Sequence, residues 1–165
     1  MKFDHVAIEV NDFDSRVDAL VDDVGMTLVR HGIRYSTGQR IAMLGDETGV
    51  KIELIESDAG QPTLAHVAFR ADEAAAVDEA EAGLVEAGWS TVNPVHDLAA
   101  ARARTTMVAD RGGLHVQVIA YEPDSPDLGR SGATDEPSAA LDGPETSPGT
   151  ATGRAAADRG NQWIS

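Results

Sequence analysis

No cysteine occurs in the 165 residues. Disulfides, thiolate metal sites and cysteine nucleophiles are therefore excluded. Lysine is nearly absent, with Lys2 and Lys51 against eleven arginines. Thirteen basic side chains face 28 acidic ones, for a net charge of −15. A chain without a basic footprint does not suit a phosphate backbone, so no nucleic-acid partner is expected. Aromatic residues number only seven, which disfavours a pocket built to stack on a planar ligand. Apolar runs are a few residues long, too short for a helix that crosses a membrane. The opening Met1-Lys2-Phe3-Asp4 lacks the basic start and apolar stretch of about 7–15 residues that mark a secretory signal. A cytoplasmic location is the expectation. The acidic, lysine-poor composition suits a salt-rich cytoplasm, where ions screen self-repulsion.

What is present divides at Tyr121-Glu122. Residues 123–165 hold five of the seven prolines and six of the sixteen glycines, among Ser, Thr, Ala and Asp. Such a segment buries too little apolar area to offset its ordering entropy. It reads as a disordered acidic tail behind a folded part, residues 1–122.

The folded part repeats itself. His5-Val6-Ala7-Ile8-Glu9-Val10 alternates as a strand does. Asn11-Asp12 caps a helix to about Asp23, with Val17, Leu20, Val21 and Val24 at helical spacing and Gly25 closing it. Strands follow at Met26 to Tyr35, Arg40 to Leu44 and Val50 to Glu56. After Pro62 the order returns: a strand from Leu64 to Ala71, a helix capped by Asp72 and ending near Gly88, and strands at Trp89 to Val92, Arg104 to Ala109 and Leu114 to Ala120. His5-Val6-Ala7 matches His66-Val67-Ala68, and Gly49-Val50-Lys51-Ile52 matches Gly113-Leu114-His115-Val116. Matches in the same order at nearly constant spacing indicate a duplicated module. The reading is an α+β chain: module one over residues 1–57 and module two over 64–122, each βαβββ, with curved mixed sheets that form a cup.

Alternation assigns faces. His5, Ala7 and Glu9 oppose Val6, Ile8 and Val10. Glu53 opposes Ile52 and Leu54. His66 opposes Val67, and Gln117 opposes Val116 and Val118. Paired modules bring His5, Glu53, His66 and Gln117 to one cup. Two imidazoles, a carboxylate and an amide oxygen suit a borderline divalent cation, with Zn, Ni, Co, Mn and Fe all admissible. A histidine in a strand can also be an ordinary hydrogen-bonded core residue. The symmetry of His5 and His66 beside Glu53 favours ligation. Gln117 could instead hydrogen-bond a ligand or a water. His31 and His96 read as surface residues, and Lys51, Arg70, Arg102 and Arg104 as solvated strand-edge charges. Gly49 and Gly113 read as turn residues.

The motifs Asp4-His5-Val6-Ala7, Gly49-x-x-Ile52-Glu53-Leu54, Ala65-His66-Val67-Ala68 and Asp110-x-x-Gly113-x-x-Val116-Gln117-Val118 resemble those of the vicinal oxygen chelate superfamily. That superfamily includes glyoxalase I, methylmalonyl-CoA epimerase, extradiol dioxygenases and bleomycin-resistance proteins. The resemblance covers about residues 4–122. It implies that the first and last strands of each module supply metal ligands at His5, Glu53, His66 and Gln117. It also implies a glyoxalase I-like lyase or isomerase acting on a small oxo or thioester substrate. On this resemblance the metal would supply charge that stabilises an enediolate, and Glu53 would act as the base.

Gln117 departs from the pattern, since related enzymes commonly carry Glu there. An amide cannot accept the proton, so base chemistry rests on Glu53. The alternatives are a drug-binding protein of the bleomycin-resistance type, which needs no metal, and an extradiol-type dioxygenase. The latter is disfavoured because its carboxylate comes from the second module's last strand. A homodimer is expected. The metal site could form within one chain or across two.

Overall fold

The computed structural model describes residues 1–34 and 37–128. Most of the expected tail, and Tyr35-Ser36, lie outside the described residues. The strands are β1 (Lys2–Val10), β2 (Thr27–Ile33), β3 (Arg40–Gly45) and β4 (Lys51–Glu56) in the first module. The second module has β5 (Thr63–Arg70), β6 (Ser90–Leu98), β7 (Ala103–Ala109) and β8 (His115–Tyr121). Helix α1 (Phe13–Asp18) continues into a π-helical turn, Ala19–Asp23, and α2 spans Ala74–Glu86.

All eight strands join one mixed sheet in the order β2-β3-β4-β1-β5-β8-β7-β6. Each module contributes four neighbouring strands. They meet at the antiparallel pair β1–β5, while β1–β4 and β5–β8 run parallel. The cup therefore closes within a single chain.

One sheet face packs under the helices. Val10, Leu44, Leu54, Phe13 and Val17 form a buried cluster beneath α1, and Val118, Ala120 and Val77 form its counterpart beneath α2. The apolar faces read from alternation are thus the helix-covered ones. Duplication extends to the turns. Asp46 Oδ1 accepts the N–H groups of Thr48 and Val50, and Asp110 Oδ1 those of Gly112 and Leu114. Gly49 and Gly113 follow with φ of 89° and 86°, a left-handed conformation that glycine adopts without steric cost. Both are turn residues, as expected.

Several boundaries differ from expectation. Asp12 is the N-cap of α1, but its own φ is 50° and its side chain makes no capping bond. Glu73, rather than Asp72, is the N-cap of α2. β6 runs to Leu98, well past Val92. It runs through Pro94, whose missing N–H is tolerated because β6 is an edge strand.

The larger correction concerns residues 123–128, assigned above to the tail. They fold back as a 3₁₀ turn, Pro126–Leu128, with Ser125 and Asp127 buried. Asp127 reaches β2 and pairs with Arg30. Composition could not show this, because one buried ion pair and a hydroxyl bond from Ser125 to the Ala101 carbonyl hold the turn in place of apolar area.

Candidate metal centre

Strand register places the four residues singled out above in two rows. Glu53 on β4, Ala7 on β1 and His66 on β5 lie side by side. In the next row are His5 on β1, Ala68 on β5 and Gln117 on β8. The rows are related by the duplication: His5 corresponds to His66, Ala7 to Ala68, and Glu53 to Gln117. Ala7 and Ala68 are fully buried. Their small side chains leave room over the middle of the sheet for the larger groups on either side.

His5, Glu53 and His66 each offer a ligand atom, and these atoms lie within 4.8 Å of one another. His5 Nε2 is 3.3 Å from His66 Nε2, and Glu53 Oε2 is 3.6 Å from His66 Nε2. Gln117 lines the same cavity as Glu53 and His66, and its Oε1 is buried without a hydrogen-bond partner among the described residues. An orphaned amide oxygen beside two imidazoles and a carboxylate fits a borderline divalent cation. The cavity has a volume of about 300 Å³, at the small end of ligand pockets.

The electrostatics suit the same group. Burial pushes the His66 imidazole down to about 4, against the opposing pull of Glu53. His66 is therefore neutral at pH 7 and keeps a lone pair to donate. Burial alone would raise the Glu53 pKa. The neighbouring His5, His66, Arg30 and Arg34 outweigh it and hold the carboxyl below its ordinary value, so Glu53 is an anion.

Asp4 is the residue that sequence reasoning missed. Pairing runs from Phe3↔Phe69 directly to His5↔Ala68, which leaves Asp4 as the extra residue of a β-bulge. A bulge re-aims a side chain that strict alternation would place on the other face. Asp4 is consequently buried beside His5, and its Oδ1 lies 2.8 Å from His5 Nδ1. Lys51 Nζ and Tyr121 Oη donate to the same oxygen, each at 2.9 Å. Burial works against this carboxylate, but the bonds from His5 and Lys51 and the charge of Lys51 hold its pKa at about 2. Burial and the Asp4 charge together raise the Tyr121 phenol well above its usual value, so it stays a donor. A carboxylate on Nδ1 fixes the tautomer that leaves Nε2 free for a cation.

Two other expectations are corrected. Lys51 is not a solvated edge charge but a buried partner of Asp4, because β4 is an interior strand. His96 lines the cavity, carried there by the longer β6. His115 is exposed. Arg102 and Arg104 are partly exposed and make surface ion pairs, as expected.

Comparison with known proteins agrees with this architecture. Residues 4–107 match the family model of the Glyoxalase/Bleomycin resistance protein/Dioxygenase superfamily. The chain belongs to that superfamily. No curated protein matches the sequence. Among solved structures, methylmalonyl-CoA epimerase from Mycobacterium tuberculosis is similar at 24% identity and a TM-score of 0.62, over 74% of this chain and 89% of that one. A Streptomyces coelicolor methylmalonyl-CoA epimerase in complex with 2-nitronate-propionyl-CoA is similar at 19% identity and a TM-score of 0.63, over 76% and 97%. A hypothetical protein from Bacillus halodurans C-125 is similar at 20% identity and a TM-score of 0.61, over 75% and 96%. At these identities the likeness is one of fold. The superfamily's duplicated modules are those seen here, with the His/Glu/His group at their junction.

Proposed function

We propose that this superfamily member is a divalent-metal-dependent isomerase or lyase of glyoxalase type. It would move a proton between adjacent carbons of a small oxo or thioester compound. His5, Glu53, His66 and Gln117 would hold the ion. The observation that carries the reading is the buried His/Glu/His group, with an amide oxygen in the same cavity that has no partner among the described residues. The ion would supply positive charge that stabilises the enediolate left when the proton departs.

The roles of the chain's own groups follow from their environments. Glu53 is ionised and can accept the proton at a carboxylate oxygen. Its pKa is held low, so it is a weak base and depends on acidification of the substrate carbon. Gln117, its counterpart in module two, can orient an oxygen but can neither accept nor return a proton. A single base serves one side of the substrate. It favours transfer to a neighbouring carbon over inversion at one carbon, which needs a second proton donor on the opposite face. Asp4 holds the His5 ring in place through Nδ1.

The bleomycin-type binding alternative is disfavoured by the cavity wall, which has no Phe, Trp or Tyr among the described residues. The dioxygenase alternative draws support from composition, since two histidines and one carboxylate also make an iron(II) triad. Gln117 would occupy a position that such chemistry leaves open.

Metal analysis and solvent-deuterium exchange test the proposal together. The expected result is about one divalent ion per chain. With that ion bound, deuterium should enter a 2-oxo thiohemiacetal and should not do so in Glu53→Gln. A metal-free wild type would contradict the reading. Oxygen uptake with a catechol, without exchange, would transfer support to the dioxygenase.

A further inference from the structure

Only two buried side-chain atoms among the described residues lack a hydrogen-bond partner: Gln117 Oε1 and Arg30 Nη1. Both residues line the cavity that holds Glu53 and His66. The amide oxygen is accounted for as a donor to a cation. The guanidinium nitrogen needs an acceptor, and the described residues supply none.

Arg30 lies on β2, with its side chain only 5% exposed. Asp127 grips one edge of the guanidinium, accepting from Nε at 2.7 Å and from Nη2 at 2.9 Å. That two-pronged bond fixes the plane of the group and leaves Nη1 over. Burial works against the charge, but Asp127 and Glu53 keep Arg30 firmly protonated. A buried charged N–H without an acceptor is unfavourable in the free protein, and a ligand that accepts from it removes that penalty. Arg34 lines the same wall. The corresponding position in module two is Asn93, which is neutral, so the duplicated cup carries this charge on one side only.

We propose that Arg30 Nη1 anchors a carboxylate of the substrate. The cavity would then take small 2-oxo or acyl compounds that bear a carboxylate, in preference to neutral ones. Asp127 is the positioning residue. One remaining nitrogen matches a singly charged carboxylate, whereas a phosphate asks for several donors at once. The inference deepens the proposed function and rests on it for where the chemistry occurs. The anchor itself needs no metal.

The test titrates the full-length protein with pyruvate and with methyl pyruvate, its neutral ester, by NMR, both metal-loaded and after chelation. Wild type should bind the acid more tightly than the ester in both forms. Arg30→Gln should weaken pyruvate by about tenfold or more, the scale of a lost charged hydrogen bond, and leave the ester unchanged. Asp127→Asn should reduce the preference in part. If Arg30→Gln does not fold, Arg30→Lys is read instead. It keeps the charge for Asp127 but has no second nitrogen, so the preference should fall there too.

The proposal is overturned if wild type binds acid and ester equally or binds neither. It is also overturned if the preference vanishes on chelation while Arg30→Gln leaves it intact, because the ion would then be the anion's only holder. Failure of the enzyme reading would show separately, as absent deuterium exchange with the acid preference retained.

Discussion

At the residue scale the candidate centre is braced by a carboxylate, Asp4, that is not among the residues lining the cavity. Asp4 receives three donors on one oxygen and in return orients His5. Replacing such a partner typically lowers metal affinity about 10–100-fold. Asp4→Asn should do so in a competition titration, with His5 and the fold retained. The same residue makes a prediction about acid. Its pKa is held at about 2, against an ordinary 3.8. A carboxyl depressed by folding contributes stability that is present above pH 3.8 and lost as pH falls toward 2. The displacement corresponds to about 2 kcal/mol. Urea unfolding of metal-free protein between pH 5 and pH 2 should show that loss in wild type and not in Asp4→Asn. Equal slopes would contradict the assigned environment.

The reason Asp4 escaped notice, while His5, Glu53 and His66 did not, is geometric. Alternation locates side chains that are paired in register, as Glu53, His5 and His66 all are, although the two histidines lie next to bulges. A bulge is a departure from that rule, caused by how two strands pair across 60 or so residues. One sequence read along its length does not contain the pairing. Lys51 was misread for a related reason, because nothing local distinguishes an interior strand from an edge.

At the element scale, the junction of β1 and β5 decides whether the centre forms. Ala7 stands between Glu53 and His66, and Ala68 between His5 and Gln117. A larger side chain at either place intrudes on close-packed surroundings, at about 1–3 kcal/mol for overpacking. Ala7→Val should lower the unfolding free energy by that amount in a denaturant titration and weaken metal binding as well. Unchanged metal affinity would show that the two rows tolerate separation.

The 3₁₀ turn after β8 is a second structural element of the site, through Asp127. The Arg30–Asp127 pair is almost wholly buried, and removing one member leaves an uncompensated charge. Asp127→Ala should cost about 3–5 kcal/mol in denaturant unfolding, far beyond what a tail residue would. Proline and glycine content marks the chain as leaving the fold at Glu122, whereas polar contacts of Ser125 and Asp127 hold residues 123–128 against it.

At the scale of the whole molecule, the duplication is legible because repeated landmarks survive along the chain: the two His-Val-Ala strands and the match of Gly49-Val50-Lys51-Ile52 with Gly113-Leu114-His115-Val116. The strand order, with each module supplying one half of a continuous sheet, follows from it. The proposed chemistry rests on what differs between halves: Glu53 against Gln117, Arg30 against Asn93, Asp4 against Ala65. The net charge of −15 acts on the molecule as a whole. Self-repulsion weakens as ions screen it, so the melting temperature should rise steadily with potassium chloride from low ionic strength into the molar range. A flat response would mean the acidic surface does not limit stability.

The most direct test of the account is an anomalous-scattering map from crystals of the protein soaked with cobalt(II). A single strong peak is predicted between β1, β4 and β5, bonded to His5 Nε2, His66 Nε2 and a Glu53 oxygen. No peak there, or a peak held by other residues, would contradict it.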